Sequence, residues 1–178
     1  MKNILLCSAI LASSTAFANF SAPGIVTETS YEIHTSPGAK GGVDSADYKF
    51  WTLTPKEMQK KKAVSGGDWI TVQAIPAAST AKIGTAARVT ATHQACFTNS
   101  LGTAVDAGYR FRLQAVNENT TLLNRMSVQA GKGVCVTLHT YLIVTPPAPG
   151  QYDITAFSHA DMWYSVTDTQ ASSTLNVQ

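Results

Sequence analysis

Charge is scarce in this chain. Asp, Glu, Lys and Arg make up 13% of its 178 residues, where about 25% is usual. The formal net charge is +2, so a nucleic-acid partner, which needs a clustered basic face, is not expected. Long hydrophobic runs are absent as well. The stretch from Ile4 to Ala12 falls short of the roughly 20 residues that cross a bilayer as a helix, so no transmembrane segment is expected. Cysteine is limited to Cys7, Cys96 and Cys135, without the Cys-x-x-Cys or His-x-x-x-His spacings of zinc sites. Internal repeats and low-complexity tracts are missing. There is no Gly-x-Ser-x-Gly elbow. Ser158-His159-Ala160-Asp161 is no triad, because consecutive side chains of a strand point to opposite faces. No catalytic residue, metal-ligand set or cofactor is expected.

What the chain does carry begins with an address. Lys2 gives a positive start, Ile4 to Ala12 an apolar run, and Ala16-Phe17-Ala18 a small-x-small cleavage site. Residues 1–18 therefore read as a short Sec-type signal peptide of bacterial type, and the mature chain begins at Asn19 in the periplasm or outside the cell. Cys7 follows Leu5-Leu6 inside the apolar run, without the small residue a lipoprotein cleavage site carries, and leaves with the leader. The remaining length of about 160 residues fits one domain that buries roughly 70% of its unfolded surface. Cys96 and Cys135 are then an even pair in an exported chain, and read as a disulfide.

Strand signals dominate from residue 68 onward. Runs at 68–75, 86–97, 107–116, 122–128, 133–144, 151–158 and 172–177 are β-rich and separated by Gly, Pro, Asn or Asp. Tyr109, Phe111, Leu113 and Ala115 alternate with Arg110, Arg112 and Gln114. Val134, Val136, Leu138 and Leu142 oppose Cys135, Thr137, His139 and Tyr141. Each run has one buried and one wetter face. Residues 19–67 form a less regular extension: an edge strand over 25–34, a Gly-rich loop over 37–47, and a short helix over 55–63 announced by Thr54-Pro55-Lys56-Glu57, a capping box with Pro at the first helical position.

The segment Pro149-Gly150-Gln151-Tyr152-Asp153-Ile154-Thr155-Ala156 resembles the sixth strand of immunoglobulin-like sandwiches, with a tyrosine corner at Tyr152. The resemblance spans residues 68–178 and implies an all-β, single Ig-like antiparallel sandwich of the kind found in bacterial exported modules. It departs from antibody domains, since no cysteine follows Tyr152 and the third strand lacks Trp. In that topology Cys96 ends the second strand and Cys135 begins the fifth, its neighbour, and both face outward beside Gln94 and Thr137. Facing cysteines set His93 opposite Leu138 and His139 opposite Thr92, so the two imidazoles occupy opposite faces.

Few residues remain for a site. Mature Asn19-Phe20 lacks the N-terminal histidine of copper-binding sandwiches. His159 with Met162 supplies two soft ligands, too few for copper, and Asp44 with Asp47 reads as a solvated loop. Lys56, Lys60, Lys61 and Lys62 form a basic cluster that reads first as a solubilising face. Asn119-Thr120-Thr121 matches a glycosylation sequon and reads as a polar turn. Asp161, Met162, Trp163 and Tyr164, placed where the sixth strand turns toward the seventh, are the candidate ligand-binding residues, since Trp and Tyr concentrate interface energy. The expected function is an exported non-enzymatic binding or interaction module for a protein or glycan, adhesin-like or a secreted effector. The alternatives are a pilin-like fibre subunit whose 25–33 strand is lent to a neighbour, or a periplasmic metal-binding protein. Mass spectrometry of exported protein should find Asn19 at the N-terminus; a retained, lipid-modified Cys7 would overturn the leader assignment.

Overall fold

The alternating runs fold as strands whose apolar positions all turn one way. In a computed structural model, described for residues 25–26, 31–35, 42–43, 49–64, 70–163 and 165–178, twelve strands and one helix are present among those residues. The N-terminal strands are β1 (Ile25–Val26), β2 (Tyr31–Thr35), β3 (Gly42–Val43) and β4 (Lys49–Thr52), followed by helix α1 (Pro55–Val64). Then come β5 (Ile70–Pro76), β6 (Ser79–Ala81), β7 (Ala87–Thr98), β8 (Val105–Ala115) and β9 (Glu118–Val128). The chain closes with β10 (Gly133–Val144), β11 (Gly150–Met162) and β12 (Ser165–Val177).

One sheet has the order β9, β8, β11, β12, with β1 and β2 both on the outer side of β9 and β6 beside the end of β12. The other has the order β10, β7, β5, with β3 and β4 on the outer side of β10. Every pairing is antiparallel except that of β6 with β12. This is an all-β Ig-like sandwich: the first, second and fifth long strands share one sheet, and the third, fourth, sixth and seventh share the other. Tyr152 makes the corner, its hydroxyl donating to the Ala148 carbonyl at 3.0 Å.

The extension does more than add an edge strand. Its first two strands pair with β9 and its next two with β10, so it hydrogen-bonds to both sheets. The stretch read as a loop contains β3, while Asp44 and Asp47 lie outside the described residues, as do the leader and Cys7. The last hairpin is also longer than its apolar pattern indicated. β11 runs on to Met162 and β12 starts at Ser165, giving two 13-residue strands. The sequon is not a turn: it lies in β9 with Thr120 buried, and the turn is at Val116-Asn117.

Inside, the core divides into two apolar clusters. Phe97, Phe111, Leu122, Leu138 and Met162 belong to one, and Val89, Leu113, Leu142, Ile154 and Leu175 to the other. Fully burying one such side chain contributes about 1.5–3 kcal/mol.

Cys96 and Cys135 are directly paired across β7 and β10 and joined by a disulfide. Closing that span is worth about 4 kcal/mol on the chain-entropy account. They lie on the outer face, yet they are not exposed as their polar neighbours implied. Trp51, Leu53 and Met58 pack over them as a third cluster. The lid is held by the capping box: the Thr54 N–H donates to Glu57 Oε2 at 2.8 Å and the Glu57 N–H to Thr54 Oγ1 at 3.3 Å. Gly133 makes room for it. A Cβ there would stand 2.7 Å from Met58 Cγ and 2.9 Å from Leu53 Cδ1.

Gly133→Ala should therefore destabilise the fold by about 1–3 kcal/mol through overpacking. Gly102→Ala, with open space around it, should be near neutral. Urea unfolding of both variants checks this, and equal midpoints would show that the lid is not seated on Gly133.

Candidate functional site

A histidine beside a serine is the first place to look for chemistry, and this sandwich contains such a pair. His93, on β7, is fully buried. Its Nδ1 lies 3.1 Å from Ser158 Oγ and its Nε2 2.9 Å from Thr140 Oγ1. Ser158 Oγ donates to the Gln73 carbonyl at 2.7 Å, so it accepts the Nδ1 proton; the Thr140 hydroxyl lies 2.9 Å from Nε2 and 3.5 Å from the Ala91 carbonyl, with both acceptors in reach. Phe111 stacks on the ring with centroids 5.1 Å apart. A nucleophile would need its proton directed at the imidazole and a path to substrate. Here the hydroxyl proton points to a backbone carbonyl, and both side chains are sealed between the sheets. Desolvation lowers the His93 pKa from 6.5 to about 4, the Phe157 backbone carbonyl opposing and the charge of His139 adding to the shift. The group is a neutral structural bridge. His139 lies on the opposite face, its Nδ1 2.9 Å from Thr92 Oγ1.

The candidate ligand-binding residues do not share one surface. Asp161 and Met162 end β11, and Met162 is 1% exposed, part of the core. It is thereby removed as a surface contact, because its strand position points inward. His159 points outward, so the two are not joint metal ligands. Asp161 accepts from Arg125 at 3.4 Å, an exposed pair of small energetic weight. Trp163 occupies the turn between Met162 and Ser165 with φ of 53° and is 62% exposed. Val166, three residues on, is 61% exposed. Tyr164 lies outside the described residues. Lys56 and Lys60 are exposed and Lys61 half-buried on α1, on the lid rather than near this tip. The side chain of Lys62 lies outside the description.

The outer face of the β9-β8-β11-β12 sheet brings together residues that the sequence did not single out. Register pairs Arg112 with Phe157, Arg110 with His159, and Gly108 with Asp161. The Arg110 and Arg112 guanidiniums lie 5.5 and 5.4 Å from the Phe157 ring centroid. His159 stacks on the same ring, centroids 6.3 Å apart. Gly108 lets Asp161 lie across β8, since a Cβ there would meet Asp161 Oδ1 at 2.5 Å. Beside Arg110 is a hollow of about 380 Å³, bordered also by Leu123, Arg125, His159 and Asp161. A second, of about 360 Å³, borders Arg112, Gln114, Asp153, Thr155 and Gln170. The signal was available: Phe157 is a large apolar residue at a position where alternation expects a polar one.

No protein-family model matches the chain, and no curated protein does. Among solved structures it is similar to AggA, the major subunit of aggregative adherence fimbriae type I from Escherichia coli, at 12% identity over 61% of this chain and 94% of that one, with a TM-score of 0.31. It is similar to the Bacillus subtilis sporulation control protein Spo0M at 12% identity over 62% of this chain and 49% of that one, TM-score 0.31. The collagen binding subdomain of the Enterococcus faecalis surface protein ACE matches at 7% identity over 59% of this chain and 95% of that one, TM-score 0.23. Likeness at these scores carries no functional argument, which rests on the site.

The buried imidazole sets a pH dependence. Between pH 6.5 and about 4 the unfolded chain binds a proton that the folded chain refuses. The contribution is complete above pH 6.5 and is lost as pH falls through that window, on the order of 3 kcal/mol in all. Denaturation free energies across pH 7 to 4 should show this slope, and His93→Phe should flatten it. An unchanged slope in His93→Phe would place the titration elsewhere.

Proposed function

We propose that the protein is an exported, non-enzymatic interaction module that presents the β11–β12 hairpin tip to a protein or glycan partner. Trp163 carries the reading. A bulky residue at positive φ costs on the order of 1 kcal/mol, and an exposed indole forfeits its burial energy. Neither cost is needed to close a hairpin, which Asn-Gly or Gly-x does freely. Val116 closes the β8–β9 hairpin at the same positive φ but packs its side chain against the core, whereas the Trp163 indole is exposed, and Trp is the residue type that most often anchors interfaces. Asp161 supplies a polar flank, Tyr164 a second aromatic, and buried Met162 the footing of the turn.

The disulfide fits folding in an oxidising compartment, in agreement with a leader over 1–18. On this reading residues 68–178 are the module and 19–67 its bracing extension. The fibre-subunit alternative needs the 25–33 segment to leave for a neighbour. In this structure β1 and β2 pair with the chain's own β9, and β12 is a complete last strand.

The test is capture of labelled protein on immobilised extracellular proteins and glycans, read by biolayer interferometry. Trp163→Ala should leave stability within about 0.5 kcal/mol and cut capture at least about tenfold, the scale of a single anchor. Trp163→Gly should match or exceed wild-type stability, since glycine accepts the positive φ, with the same loss of capture. Equal capture by wild type and both variants, or none by any, would end the hairpin-tip reading. Ladders on size-exclusion chromatography, in place of a single monomer peak, would favour the fibre subunit.

A further inference from the structure

The outer sheet face carries an arrangement of charge that folding alone does not require. Arg110 and Arg112 sit two residues apart on β8, and their guanidiniums converge on one ring, that of Phe157. Among the described residues neither has a carboxylate within salt-bridge distance, while nearby Arg125 is paired with Asp161. Two cations drawn to one aromatic ring repel each other, and an anion placed between them would remove that repulsion.

We propose that Arg110 and Arg112 bind the carboxylate of an acidic sugar unit within a short, otherwise neutral oligosaccharide. The guanidinium fork matches a carboxylate in geometry, with parallel N–H donors to both oxygens. The hollows beside Arg110 and Arg112 receive the neutral units on either side of the acid. The surrounding side chains decide the class of ligand. Asp161 and Asp153 border the two hollows, and Asp168 pairs with His159 on the neighbouring strand. A polyanion charged at every unit would be laid against these carboxylates. A chain with one acidic unit offers them hydroxyl groups, which carboxylates accept well. Gln114 and Gln170 add amides suited to the same hydroxyls. Phe157 lies six residues before Trp163, roughly 20 Å along the strand, so the arginine pair is distinct from the indole, with Asp161 lying between them at the edge of the first hollow. The proposal rests on the interaction-module reading only in taking a glycan as partner.

Isothermal titration of the full mature chain with 3′-sialyllactose and with 6′-sialyllactose, each carrying one carboxylate, tests it, using lactose as the neutral control. At least one acidic probe should bind saturably, and its neutral control at least about tenfold more weakly, as expected when a charge-assisted fork is lost. Arg110→Gln and Arg112→Gln should each weaken that binding by roughly fivefold or more, with the amide NMR spectrum otherwise unchanged. The proposal is overturned if neither acidic probe binds, if the neutral control binds equally, or if both Gln variants bind like wild type. Tighter binding of a heparin octasaccharide or an oligo-dT strand would overturn it too, in favour of a polyanion. Absent sugar binding together with capture lost in Trp163→Ala removes this proposal and leaves the module reading standing. Sugar binding with unaltered capture by Trp163→Ala keeps this proposal and ends the hairpin-tip assignment.

Discussion

His93 stands at the waist of the sandwich, and its hydrogen bonds fix the relation of four strands. On β7 it lies between Ala91 and Ala95, which belong to different apolar clusters. Thr140 holds the same place between Leu138 and Leu142 on β10, and Ser158 between Ala156 and Ala160 on β11. Gln73 of β5 closes the network with its carbonyl. A one-residue slip of any of these strands would turn a polar group outward and leave its partner buried and unpaired, at a cost of about 1–3 kcal/mol. A two-residue slip would keep the apolar faces inward, yet it would still part the imidazole from its hydroxyl partners. The direct pairing of Cys96 with Cys135 is a consequence of the same alignment, since Cys96 lies three residues beyond His93 and Cys135 three before Leu138, which His93 faces.

The outer face inherits its order from that interior. Because Ser158 must point inward to reach the imidazole, Phe157 and His159 must point outward, and Asp161 follows them. The alternation then carries Met162 into the core, where it anchors the final turn. The exposed arginines of β8 meet these residues in a fixed lattice, with Arg112 opposite Phe157 and Arg110 opposite His159. A rigid sheet holds its side chains more exactly spaced than a loop does, which suits recognition of a small ligand. The hairpin tip is the complement of this design, with Trp163 exposed at the end of two long paired strands.

Much of this was legible from the chain, for identifiable reasons. Period-two alternation exposes the inner face of β8 and β10, and antiparallel pairing converts two cysteines into a register. Thr54 and Glu57 mark a helix start through local chemistry alone, and Tyr152 after a Pro-Gly turn marks the corner. What escaped depends on contacts distant in sequence. The lid is invisible because, among the described side chains of α1, Met58 alone joins it, too little to announce an apolar stripe. Ser158 and Thr140 carry no mark of the bridge within their own strands, since their partner is a histidine on a third. The first half of β12, from Ser165 to Ala171, is mostly small and polar and has no apolar alternation to announce it, yet pairing with β11 holds it as strand. Phe157 shows an anomaly without its meaning, which needed both arginines in place.

The covered disulfide has a consequence for how the protein ages in its surroundings. Exchange begins with a thiolate reaching one sulfur, and both cysteines are buried where Trp51, Leu53 and Met58 pack on them. Reductants therefore act at the rate at which the lid lifts. A protease that severs the chain near α1 would turn a shielded bond into an accessible one without touching either cysteine. Redox lifetime is thus written into the seating of the segment from Trp51 to Met58, and its release starts a clock that the intact molecule holds stopped.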